Sequence, residues 1–254
     1  MNKNYINKEI TVFRRKLGLN NIVVEEATLL NILQNDKYYI FYDLFGRDSF
    51  SGAAYKEGEI KFIIINSSQS KGRQNFTLAH ELGHIILHDK NIFDLTQENV
   101  KLEKEADFFA TNFLMPEHLL KMEIGDFKKI SKMDILMVSQ RFRVSFEAAL
   151  YRLLSIYGKR NMPADYGKIK VVDVISEFNN KNKDNYDKEA RNLASSLKID
   201  ESLYYPDEKM HYPNNIIKER SIRKYKNEKI SFGKLLEFIK FLGLDPDKVM
   251  AALK

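Results

Sequence analysis

The sequence has no cysteine among its 254 residues. That absence excludes disulfides and thiolate metal sites, so any bound metal must rest on histidine, aspartate and glutamate. No stretch approaches the roughly 18 consecutive apolar residues that a membrane span needs. The opening MNKNYINKEI lacks the apolar core of a secretion signal. The expectation is a cytoplasmic protein with no membrane partner. Charge of one sign is also scarce, the formal net charge being +6. What excess there is lies between Lys159 and Lys254, where 20 Lys and Arg stand against 15 Asp and Glu. Its densest piece, KERSIRKYKNEK (218–229), reads first as a solvated helix face and second as a contact for nucleic acid or an acidic protein.

Apolar residues at 44% and charged residues at 30% are ordinary for a globular chain, and the length allows one main domain with a smaller unit. Residues 1 to about 35 carry helical spacing in KEITVFRRKLGL and VVEEATLLNILQN. The period then changes. YYIFYDLF, FSGAAY and EIKFIIINSS read as strands of an antiparallel sheet, the last two joined by Lys56, Glu57 and Gly58. The strand from Ile60 to Ser67 is a candidate sheet edge for an extended peptide, with a central, fully paired position as the alternative. Helical spacing returns from about Ser70 to Gly158. Within it, MDILMVSQRFRVSFEAALYRLLSIYG (133–158) has the outline of a helix-turn-helix, with Ser145 capping the second helix. That second helix opens on Phe146, Glu147, Ala148 and Ala149 rather than on base-reading side chains, so the segment reads as packing structure. Beyond it, NNKNKDNYDKEA reads as a loop or linker, His211 has no ligand partner in sequence, and ISFGKLLEFIKFLGLDPDKVMAALK reads as two short helices.

Three of the five histidines fall in FTLAHELGHIILHD (76–89). On a helix, His80 and His84 project from one face at a spacing that lets both imidazoles reach a single cation. Glu81 stands beside them, placed to act on a water next to that cation rather than to bind it. This is the HExxH arrangement, two zinc ligands and a general base, in which zinc lowers the pKa of a bound water to about 7. Gly83 costs about 1 kcal/mol relative to alanine inside a helix, a cost that makes sense if another backbone packs close. Phe76, Ala79, Gly83, Ile86 and Leu87 are expected to form the apolar face. His88 lies about 12 Å along the axis from His80, too far to share its metal, and is read as an outer-sphere or helix-capping residue.

A third ligand is expected from EKEADFFATNFLMP (103–116). Glu103 shares a face with Ala106, Asp107 and Ala110, whose alanines permit close helix approach, whereas Glu105 lines up with Phe108, Phe109 and Asn112. Glu103 is favoured over Glu105, and Asp107 is placed to accept the free N–H of a ligand histidine.

RQNFTLAHELGHIILH followed by EKEADFFATNFLMP resembles the ImmA/IrrE family of metallo-endopeptidases over roughly residues 40 to 155, with Asp107 where the family usually has asparagine. The resemblance implies an α+β fold: a zincin-like catalytic domain over 1–158 with a small antiparallel sheet and the HExxH helix, including a helix-turn-helix-like helical segment over about 130–158. A basic helical C-terminal domain over 159–254 would follow. It implies zinc ligands at His80, His84 and Glu103 and a catalytic glutamate at Glu81. It also implies a protein substrate, a small helix-turn-helix repressor whose cutting relieves repression. The alternative is a toxin or regulatory partner that binds a repressor, an antitoxin or DNA without proteolysis.

Overall fold

The computed structural model describes residues 1–35, 38–47, 49–88, 97–125, 130–157, 184–209, 214–241 and 245–246. It divides into two compact units, Met1–Met210 and His211–Lys254.

The first unit opens with α1 (Lys3–Lys16), whose Asn2 side chain accepts from the Tyr5 N–H at 3.1 Å. Ile6, Ile10 and Phe13 recur at helical spacing and are buried, as is Arg14. The Arg14 Nη1 and Nη2 groups donate to carbonyls of Phe113, Leu19 and Ile22, which ties α1 to the helix carrying Phe113. Burial lowers its pKa to about 10, still high enough to keep the charge. Helix α2 (Glu26–Asn35) follows.

Three strands come next: β1 (Tyr38–Asp43), β2 (Gly52–Glu57) and β3 (Ile60–Asn66). Their order is β1-β3-β2, with β1 parallel and β2 antiparallel to β3. The sheet is therefore mixed, not the antiparallel sheet expected from sequence. The run IKFIIIN explains the arrangement: its alternate residues Ile63 and Ile65 are fully buried, and so apolar a strand is stable in the middle, paired on both sides. Strand β3 is thus not the edge. The edges are β1 and β2, the latter opening on the small residues Gly52, Ala53 and Ala54. Asn66 holds the chain leading into β2, its Nδ2 donating to the carbonyls of Gly46 at 2.7 Å and Phe50 at 2.9 Å.

Helices α3 (Lys71–Leu87), α4 (Gln97–Leu114), α5 (Glu117–Ile124), α6 (Lys132–Phe142) and α7 (Phe146–Tyr157) complete the body. The buried apolar residues of α3 are Leu78, Ala79, Leu82 and Ile85, whereas Phe76, Ile86 and Leu87 are only partly buried. The core face is therefore rotated from the expected one, because α3 is covered by α4 on one side and by the sheet on another. The α6–α7 pair turns at Arg143, which adopts φ 55°, and the Ser145 hydroxyl accepts from the Ala148 N–H at 3.2 Å. Phe146 at the start of α7 is fully buried, in keeping with a packing role.

Part of the expected C-terminal domain folds onto the first unit. Helix α8 (Asp184–Ser196) takes in residues 184–190 of the stretch read as a loop, whose residues 179–183 lie outside the described ones, and buries Tyr186, Ala190 and Ala194. A 3-10 turn (Ser202–Tyr204) buries Leu203 and Tyr204 completely, and the Tyr204 hydroxyl meets Ser139 Oγ at 2.8 Å. Extended chain then crosses the start of α3, with Ser70 bridged to Pro206 and the Lys71 N–H donating to the Tyr205 carbonyl at 2.9 Å.

The second unit contains α9 (Asn214–Lys226) and α10 (Phe232–Phe241), packed through Leu235 and Ile239 against Ile222, Tyr225 and Ile230. The Ser231 hydroxyl accepts from the Lys234 N–H at 3.2 Å, as a helix cap should. Arg223, Lys224 and Lys226 are exposed. The expected stop at Gly243, the second short helix of the tail and His211 lie outside the described residues or side chains. Among the described residues, no helix is long and apolar enough to cross a membrane.

A chain ending at Met210 should keep a cooperative urea transition near that of the full chain. One ending at Gly158 should unfold at clearly lower urea, because it loses Leu203 and Tyr204, each worth roughly 1.5–3 kcal/mol of burial. Equal midpoints for the two truncations would remove residues 184–209 from the folding unit.

Candidate metal centre

Helix α3 brings His80 and Glu81 to one wall of a cleft of about 650 Å³, with His84 one turn further along the helix. Helix α4 faces it closely enough that a methyl on Gly83 would lie 3.2 Å from the Ala106 Cα and 3.1 Å from the Phe109 Cβ. The glycine is therefore a spacing device, and the close approach delivers Glu103 to the histidines.

Both imidazoles turn Nε2 toward a common point. His80 Nε2 lies 3.0 Å from His84 Nε2, and Glu103 contacts the first at 3.1 Å through Oε2 and the second at 3.3 Å through Oε1. Ligands about 2.1 Å from a tetrahedral zinc stand about 3.4 Å apart. The observed separations are within a few tenths of that value, and all three groups can place a donor atom within 4.8 Å of the others. Two imidazoles and one carboxylate without thiolate form the donor set of a three-ligand site with an open position. The residues present fit a divalent metal.

The electrostatics agree. Burial works against charge on His80, but hydrogen bonds to Asp107 and Glu103 outweigh it and raise its pKa to about 10. Glu103 is held well below the usual carboxylate range, first by the His80 contact and then by His84. Carboxylates that favour a proton on His80 favour a cation in its place. Asp107 Oδ1 lies 2.9 Å from His80 Nδ1, on the far side of the ring from Nε2, where it sets the tautomer.

Glu81 is placed differently. It is 6% exposed, and burial pushes its pKa up against the lowering effect of His80 and His84. A Cβ on Gly52, the first residue of β2, would lie 3.1 Å from Glu81 Oε1 and 2.5 Å from Thr77 Cγ2. The start of β2 thus presses on the carboxylate.

His88 follows α3 and stands behind His84, away from the point the three donors share; its ring nitrogens meet His84 Nδ1 at 3.2 Å and Glu105 Oε2 at 3.4 Å. Glu105, the less favoured ligand, is directed to His88. Sequence reasoning missed Ser51, Gly52, Thr77, Arg73 and Tyr151, which line the cleft with the triad. Gly52 did carry a signal, since glycine inside a strand often marks close backbone approach. Arg73 pairs with Glu147 of α7 at 3.3 Å, so the first turn of α7 is committed to the cleft.

Residues 34–154 match the peptidase M78 family model described as the IrrE N-terminal-like domain. That stretch is a domain of the ImmA/IrrE family. Its relatives include the uncharacterized immunity region protein 2 of Bacillus phage phi105, 36% identical over 62 residues, 22% of this chain and 39% of that protein. Another is the radiation response metalloprotease IrrE of Deinococcus radiodurans, 34% identical over 103 residues, 37% of this chain and 31% of that one. The matches thus span well under half the length of either relative. A solved Mycobacterium tuberculosis transcriptional regulator aligns with TM-score 0.44 and 17% identity over 62% of this chain and 48% of that one. The motifs that carried the ImmA/IrrE resemblance in sequence, HExxH and the helix 103–116, lie inside the matched domain, and the family implies a metal at such a site.

Glu103→Ala should strip zinc from the purified protein far more readily than Glu105→Ala, as read by elemental analysis after dialysis. Equal retention, or loss in the second variant alone, would overturn Glu103 as the third ligand. Gly83→Val should force α3 and α4 apart, lowering stability by about 1–3 kcal/mol in urea unfolding and weakening metal retention together.

Proposed function

We propose that the chain is a zinc-dependent endopeptidase acting on a protein substrate, a small helix-turn-helix repressor, whose cleavage relieves transcriptional repression. The observation that carries the peptidase reading is the His80–His84–Glu103 donor set, two of whose members, His80 and Glu103, line one cleft with a buried, proton-accepting Glu81. The M78 match and the IrrE relative, a metalloprotease by name, support it. The choice of repressor as substrate rests on the family resemblance.

When bound, zinc supplies a Lewis acid that polarises the scissile carbonyl and acidifies a water. His80, His84 and Glu103 hold it, and Asp107 fixes His80 in the tautomer that leaves Nε2 free. Glu81 takes a proton from the attacking water and hands it to the leaving amine. Burial suits it to both tasks, because a carboxylate with a raised pKa holds a proton longer than an exposed one. The substrate strand is accepted along β2, the edge strand whose first residue, Gly52, lines the cleft beside Glu81 together with the preceding Ser51. Of the groups open as a second donor to the developing oxyanion, His88 faces away, both its nitrogens being engaged, while Tyr151 lines the cleft.

Glu81→Gln keeps volume and all three ligands but removes the base. Zinc content and repressor binding should survive while cleavage, followed by gel and mass spectrometry, falls by about 10² to 10⁴. Equal cutting by both proteins would assign the activity to another site or a contaminant. Binding without cutting by both would replace the peptidase by a partner that acts through binding alone.

A further inference from the structure

His88 lies outside the metal triad, yet its ring bridges the triad to a second carboxylate. Its Nδ1 is 3.2 Å from His84 Nδ1 and its Nε2 is 3.4 Å from Glu105 Oε2. The His88 and Glu105 side chains are 7% and 15% exposed, so water has little access to either contact. Two imidazole nitrogens at this separation attract only when one carries the proton and the other a lone pair. An ionised Glu105 accepts and cannot donate. His88 therefore carries its proton on Nε2 and presents the lone pair of Nδ1. His84 must then carry its proton on Nδ1, which leaves the lone pair on Nε2, the atom facing His80 and Glu103.

We propose that Glu105 and His88 form a relay that positions His84, locking it in the tautomer able to bind metal, as Asp107 does directly for His80. This rests on the metal reading above and extends it to two residues that do not touch the metal. The two ligand histidines are held unequally. His80 donates straight to a carboxylate, while His84 donates to a neutral ring that is itself oriented by one. Without His88, the His84 N–H would lose its acceptor, and the ring would be free to flip or to move its proton to Nε2, either of which removes the donor.

The test uses the full chain and reads metal binding, not proteolysis. Zinc affinity is measured by competition with a chromophoric chelator, and the ligand field by the visible spectrum of the cobalt(II)-loaded protein. His88→Phe keeps a ring in the same space but has no acceptor; His88→Gln restores an oxygen that can accept. His88→Phe should weaken zinc binding by about 10- to 100-fold and shift the cobalt bands, with the metal-free unfolding midpoint little changed. His88→Gln should recover most of the affinity. Glu105→Ala should weaken binding in the same direction, and adding it to His88→Phe should cost little more, since both break one chain of contacts. Wild-type affinity and spectrum in His88→Phe would overturn the relay. So would equal losses in the Phe and Gln variants accompanied by a lowered metal-free midpoint, which would make His88 a packing residue. If Glu103→Ala loses zinc while His88→Phe keeps it, the relay falls and the metal reading stands. Should the wild type bind neither zinc nor cobalt, both fall together.

Discussion

The contact of Gly83 with Ala106 and Phe109 is the constraint on which the site depends. A helix pair separated by ordinary side chains keeps its axes 8–10 Å apart. A glutamate on the second helix would then have to stretch to share a cation with histidines on the first. Removing a side chain at Gly83 and keeping an alanine at 106 lets the helices close until Glu103 Oε1 and Oε2 stand 3.3 and 3.1 Å from the two imidazoles. The local cost of glycine in a helix, about 1 kcal/mol, is what that close approach requires. Ala110, one further turn along α4, is fully buried, so the small-residue face continues past the ligand.

The same packing separates two carboxylates chemically. Glu103 is half exposed and pinned between two imidazoles, which hold its pKa far down. Glu81, one residue from His80, points under β2 where burial raises its pKa. One glutamate is thus held ionised and the other pushed toward its protonated form, although both began as the same side chain. The division is set by position. The neighbouring residue of a helix lies about 100° round the axis, so His80 and Glu81 cannot face the same environment.

The nearness of Glu103 to the histidines was legible in the sequence because helical spacing and the alanines around Glu103 are local features; Glu103 lies against His80 and His84, and Glu105 against His88. Strand number and the hairpin were legible for the same reason. The position of β1 was not, because nothing local to YYIFYD distinguishes a parallel from an antiparallel partner; that choice is made by the neighbouring layers. The face of α3 was misjudged by the assumption of one buried side, when α4 and the sheet cover it from two directions. Helix α8 was hidden by composition: in DNYDKEARNLASS a tyrosine and alanines recur at helical spacing among charged residues, a stripe too small to stand out until it meets α6 and α7.

Those same residues explain why the first unit runs on to Met210. Helix α3 begins at Lys71 after Ser70, whose side chain makes no cap hydrogen bond to the helix. The first N–H groups of a helix have no partner within it, and one left bare in a buried setting costs about 1–3 kcal/mol. Here the Lys71 N–H is satisfied by the Tyr205 carbonyl, and Gln74 Nε2, buried in the first turn, donates to the carbonyls of Gln69 at 2.8 Å and Asp207 at 3.3 Å. Lys209 anchors the far end of this crossing segment on Glu26, which also accepts from the Tyr42 hydroxyl at 2.9 Å. The segment therefore replaces the cap that the sequence omits at the start of α3, and it fixes that end of the helix against β1 and α2. Since His80 lies two and a half turns from Lys71 on the same rigid helix, chain that contributes no residue to the metal centre still helps to set where its imidazoles stand.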